Sequence, residues 1–73
     1  MARQFSGKRL RQTRNAADIR IERVALDVDR SVWTVLDYER GKVDPPASVI
    51  AALADSIGCE IGDLFDRDPK VAA

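Results

Sequence analysis

No histidine occurs among the 73 residues. That removes imidazole both as a metal ligand and as a base poised near neutral pH. There is a single cysteine, Cys59, so no disulfide can close within the chain. So few thiols suit a reducing compartment. No apolar run approaches the ~18–20 residues of a membrane span. Met1-Ala2-Arg3-Gln4-Phe5 also lacks the apolar stretch of a signal peptide. The expected location is therefore cytoplasmic, with no membrane partner. A chain this short makes one domain with a thin core. It contains no nucleophile–base pair, no metal-ligand spacing and no phosphate-cradling glycine loop. An enzyme is not expected, nor a cofactor, metal or catalytic residue. A small binding module fits better.

Charge of neither sign dominates: 12 Lys and Arg balance 12 Asp and Glu. The distribution is uneven. Residues 1–23 carry seven bases and two acids, a net +5. Residues 24–44 sum to −2 and residues 45–73 to −3. Such a gradient either orients a neutral domain on a polyanion or simply solvates helix surfaces.

Hydropathy patterning predicts five helical segments and no strand, an all-α fold. The first runs over about Gly7–Ala16 with Ser6 as N-cap; it brings Leu10 to the core, with Phe5 and Ala17 at its ends. The second, about Ile21–Val28, sets Ile21, Val24, Ala25 and Val28 on one face. The third follows the N-cap Ser31 and stops at Gly41, a residue suited to the left-handed conformation that closes helices. The fourth follows Asp44-Pro45-Pro46, since proline starts helices better than it continues them. Val49, Ile50, Leu53, Ala54 and Ile57 then form the clearest amphipathic stripe, closed by Gly58. The fifth, Ile61–Phe65, returns Ile61, Leu64 and Phe65 to the core. Residues 1–66 form the domain, and 67–73 are expected to be a disordered tail.

Only about Asp29–Arg30 separates the second segment from the third. Two short helices joined so tightly cross at a large angle. Asp29 takes the position where such turns need positive φ, which Asp tolerates better than most residues.

Gly7-Lys8-Arg9-Leu10-Arg11-Gln12, Val24-Ala25, Tyr38-Glu39-Arg40-Gly41-Lys42, Pro45, Leu53-Ala54, Gly58 and Asp63-Leu64-Phe65 together resemble the phage-repressor/Cro-type (XRE-like) helix-turn-helix family. The resemblance spans about residues 5–65. It implies a compact five-helix bundle of the lambda repressor-like kind and a cytoplasmic transcription regulator, of repressor type. It also implies a recognition helix, about Ser31–Arg40, laid in the major groove of double-stranded DNA, with a homodimer on the DNA as one option. A buried ion pair between Arg14 and Glu39 is implied as well.

Carried over residue by residue, the base-facing positions are Val32, Trp33, Asp37 and Ile21. The family usually places Gln, Arg, Ser, Lys or Asn there, because those side chains offer donors and acceptors to base edges. Three readings follow. Val32 and Trp33 meet thymine methyls while Asp37 accepts from a cytosine amino group. Alternatively, phosphate contacts and DNA shape dominate, through Arg20, Arg30, Ser31, Thr34, Arg40 and Lys42 and the start of the second helix. Or the fold has become a protein-docking module, with Val32, Trp33 and Leu36 facing a protein partner. Ile21 and Val32 also have a plainer reading as edge positions of the core.

Overall fold

The computed structural model describes residues 4–66; the tail expected at 67–73 lies outside the described residues. Four α-helices are present: α1 (Gly7–Ala16), α2 (Ile21–Val28), α3 (Val32–Glu39) and α4 (Ala47–Ile57). Their limits follow local chemistry. The Ser6 hydroxyl accepts from the Arg9 N–H at 3.1 Å and starts α1. The Ser31 hydroxyl does the same for Thr34 at 3.1 Å and starts α3. Pro46 opens α4, and Gly58 closes it at φ 81°. Asp29 ends α2 in the left-handed region at φ 57°, which turns the chain sharply into α3. A second left-handed aspartate, Asp18 at φ 58°, follows α1.

Two sequence expectations need correction. The fifth helix is a single 3-10 turn, Ile61–Leu64, rather than an α-helix. Four residues are too few to repay α-helix nucleation. The turn is held instead by a reciprocal capping box between Glu60 and Asp63. Leu64 is fully buried, but Ile61, at the turn's solvent end, is 50% exposed and adds little to the core. The second correction is that strands exist. β1 (Gln4–Phe5) pairs antiparallel with β2 (Phe65–Asp66), in the register Gln4↔Asp66 and Phe5↔Phe65. The two phenyl rings meet edge to face, 6.4 Å apart. Ser6 then donates its N–H to the Leu64 carbonyl at 2.8 Å. The ends of the domain are thus sewn together, and Phe65 serves a strand rather than a helix.

The core collects Leu10 from α1; Val24, Ala25 and Val28 from α2; Val35 and Tyr38 from α3; the stripe of α4; and Leu64. Phe5, Ile19, Ile21, Val32 and Phe65 pack around it half-buried. Ala17, expected at the edge of the core, is exposed. The Ser56 hydroxyl of α4 donates to Asp27 of α2 at 2.7 Å. That bond, with the nearby Arg23 guanidinium, holds the Asp27 carboxyl below its ordinary pKa. No helix among the described residues is long and apolar enough to cross a membrane.

α1 approaches the end of α3 closely enough to require glycine. A Cβ on Gly7 would lie 2.1 Å from the Tyr38 carbonyl oxygen and 2.6 Å from that of Glu39. The start of one helix therefore sits against the carbonyl-rich end of another, an arrangement favoured by their opposite partial charges. It fixes the C-terminal end of α3, and with it the exposed face of that helix.

Candidate nucleic-acid interface

α2, the Asp29–Arg30 turn and α3 form the helix-turn-helix. An arginine from outside it braces it through the last residue of α3. Arg14 of α1 donates through Nε to Glu39 Oε2 at 2.7 Å and through a terminal nitrogen to Glu39 Oε1 at 3.2 Å. Its other terminal nitrogen donates to the Ile19 carbonyl at 2.9 Å. The fork-to-fork geometry is one that lysine could not reproduce. Only 13% of the Arg14 side chain and 3% of the Glu39 side chain reach solvent. One guanidinium thus ties α1 to the end of α3 and to the loop entering α2.

Beside this pair lies a pocket of about 190 Å³ lined by Arg11, Arg14, Ile21, Leu36, Glu39 and Arg40. Arg14 is spent on Glu39. Arg11 and Arg40 make no side-chain hydrogen bond or ion pair among the described residues. Arg11 was not among the residues singled out from sequence. Its spacing of three from Arg14 puts both on one face of α1, which is the signal that could have found it.

The nominated residues divide into groups. Trp33 is 76% exposed on the first turn of α3 and is not part of the core. Asp37 is half-buried one turn later on the same face. Ile21 and Val32 are half-buried and packed against the core, so each shows only an edge to solvent. Leu36, nominated for docking, is half-buried and turned into the pocket. Arg20, Arg30, Arg40 and Lys42 are exposed. Arg30 donates to the Asp29 carbonyl at 3.0 Å, which holds its stem along the turn. Ser31 and Thr34 share their hydroxyls across 2.9 Å in the cap of α3. Arg20 is the N-cap of α2 but gives it no side-chain cap; backbone N–H groups at such a helix start are available to an anion. Cys59 is no activated nucleophile, because partial burial and the Asp63 charge push its thiol pKa up.

The arrangement is an apolar and acidic strip on α3, Trp33 and Asp37, with cations on the elements around it: Arg11, Arg20, Arg30, Arg40 and Lys42. It can lay side chains against a flat or grooved partner and attract negative charge at its margins.

The model of the helix-turn-helix domain family matches residues 7–67. Solved structures share the fold. The P22 c2 repressor protein, determined in complex with a synthetic operator, is 26% identical, with a TM-score of 0.77 over 89% of this chain and 98% of that one. The restriction-modification controller protein C.AhdI from Aeromonas hydrophila is 30% identical, with a TM-score of 0.76 over 81% of this chain and 89% of that one. The clp gene regulator ClgR from C. glutamicum, at 21% identity and a TM-score of 0.75 over 80% of this chain and 75% of that one, shares the fold alone. No curated protein matches the chain.

Proposed function

The chain belongs to the helix-turn-helix domain family, and from that we propose that it is a sequence-specific DNA-binding transcriptional regulator of repressor type, with α3 entering the major groove. The observation that carries this reading is the solvent-facing strip of α3 with exposed cations on the elements around it, none of them in an ion pair among the described residues. The operator-bound P22 c2 repressor and the restriction-modification controller protein of the same fold support it. In this reading Trp33 and Asp37, with the outer edges of Val32 and Ile21, face the bases. Arg20, Arg30, Arg40 and Lys42 meet phosphates, Ser31 and Thr34 adjoin them, and Arg11 joins through the pocket. The backbone at the start of α2 adds donors. A homodimer on a two-fold site would set the half-sites about one helical turn, ~34 Å, apart. No catalytic role or cofactor belongs to this account.

A second reading, a protein-docking module, draws on one observation: Trp33 and Leu26 are each 76% exposed. Salt separates the two. Each phosphate contact releases counterions, so four or so contacts per copy give log K against log salt a slope of about −4. Arg40→Ala and Lys42→Ala should each make that slope shallower by about 0.9 and weaken all duplexes alike. Fluorescence anisotropy of a labelled duplex across a salt series measures this. A flat salt profile would favour protein docking.

A further inference from the structure

Trp33 and Asp37 have different appetites, and the helix holds them together. Being four residues apart, they lie on one face with Cβ atoms about 5–6 Å apart. The indole has no place in the core and is 76% exposed. The Asp37 carboxylate makes no hydrogen bond or ion pair among the described residues. An ionised carboxylate only accepts hydrogen bonds. The strip therefore presents an apolar ring face beside an acceptor, and the indole N–H at the ring edge is its one side-chain donor.

Few base edges answer that description in the major groove. Guanine shows two acceptors, N7 and O6, which a carboxylate repels. Thymine has a C5-methyl group for the indole, but its O4 is an acceptor. Cytosine has the N4 amino donor but no methyl group. Adenine gives an amino donor beside an acceptor, again without a methyl group. Both demands are met together where a C5-methyl group lies beside an exocyclic amino group. One source is a thymine stacked next to a cytosine. The other is a single 5-methylcytosine, which carries both groups on one edge.

Resting on the DNA-binding reading above, we propose that the Trp33–Asp37 strip selects this combined edge, a C5-methyl group beside an amino group. Trp33 covers the methyl group and Asp37 accepts from the amino group. The surrounding cations hold the backbone on either side, which offsets the repulsion between Asp37 and phosphate. Affinity then depends on methyl groups that leave base pairing untouched, so methylation of cytosine at C5 is a natural regulator of this surface.

The test starts from a duplex enriched from a random pool by the wild-type chain. It is remade with deoxyuridine for each thymine, and separately with 5-methyldeoxycytidine for each cytosine, one position at a time. Dissociation constants are read by anisotropy at fixed salt. Losing one buried methyl group should weaken binding about fourfold, and gaining one should strengthen it by a similar factor. A gain at one cytosine assigns the edge to a single methylated base; a loss at a thymine beside a cytosine assigns it to the two-base step. Either supports the proposal. Trp33→Ala should erase the methyl response and leave the salt slope intact. Asp37→Asn should keep the methyl response but move the neighbouring preference from cytosine to adenine, whose N6 and N7 an amide can bond together. Affinity unchanged by every deoxyuridine and every 5-methyldeoxycytidine overturns this inference while leaving DNA binding standing. Failure to enrich any duplex removes the DNA reading and the inference with it.

Discussion

Glu39→Ala should lower the thermal midpoint by roughly 15–30 °C, and Arg14→Ala by a similar amount. The pair is almost closed to water and joined by two hydrogen bonds. Removing either partner leaves the other charge buried and uncompensated, a loss of about 3–5 kcal/mol. In a domain of this size each kcal/mol moves the midpoint by about 4–8 °C. Arg14 also donates to the Ile19 carbonyl, so its loss additionally strands a backbone acceptor at the approach to α2. Calorimetry or circular dichroism of the two single variants and the double variant measures the effect. The double variant should be less unstable than the sum of the singles, because it leaves no orphan charge. Midpoints of both singles within a few degrees of wild type would mean the pair contributes nothing.

Gly7→Ala should be the next most damaging single change, although it adds only one methyl group. The atoms that methyl group would strike are backbone carbonyls of α3, not the tip of a flexible side chain. Either α1 or the end of α3 must shift. Forced overpacking of this kind costs about 1–3 kcal/mol. The movement falls on Tyr38 and Glu39, so it also loosens the grip of Arg14. Gly41 and Gly58 are the controls. A Cβ there would meet nothing within 4 Å, but both hold positive φ, 76° and 81°. Alanine at either should cost only the conformational penalty, about 1–2 kcal/mol. In urea titrations Gly7→Ala should shift the midpoint at least as far as Gly58→Ala, and unlike Gly58→Ala it should weaken DNA binding through displaced α3. Equal stability of Gly7→Ala and wild type would mean the two helices are not held so close.

Much of this fold could be read from sequence because its signals are local. Ser6 and Ser31 start helices, Gly58 ends one, and the α4 stripe repeats often enough to fix its buried face. The family likewise follows from residues scattered over nearly the whole described chain. What escaped depends on contacts distant in sequence. Two-residue strands are shorter than any alternation a sequence can display, so β1 and β2 appear only when the ends of the domain meet. The need for glycine at position 7 comes from α3, some thirty residues away. The left-handed turn at Asp18 gave no sign beyond an aspartate next to Ala17.

The candidate site divides the same way. Ile21 and Val32 stayed ambiguous because rim positions do both jobs: one side packs on the core and the other faces solvent. Leu36 lines the open pocket beside Ile21, and Arg11, which the sequence offers only as part of the family motif, joins the site because the pocket gathers it with Arg40. Trp33 was legible from helical phase, since Val35 and Tyr38 point inward.

Trp33 is also the chain's one tryptophan, which makes it a direct probe of the central claim that the exposed face of α3 meets DNA. The decisive measurement is acrylamide quenching of its fluorescence, free and with duplex DNA added to saturation as judged by anisotropy. At 76% exposure the free indole should quench readily. On saturation its accessibility to acrylamide should fall severalfold and its emission should change as bases close over it. DNA binding that saturates while Trp33 stays as accessible as before would show that another face of the molecule makes the contact.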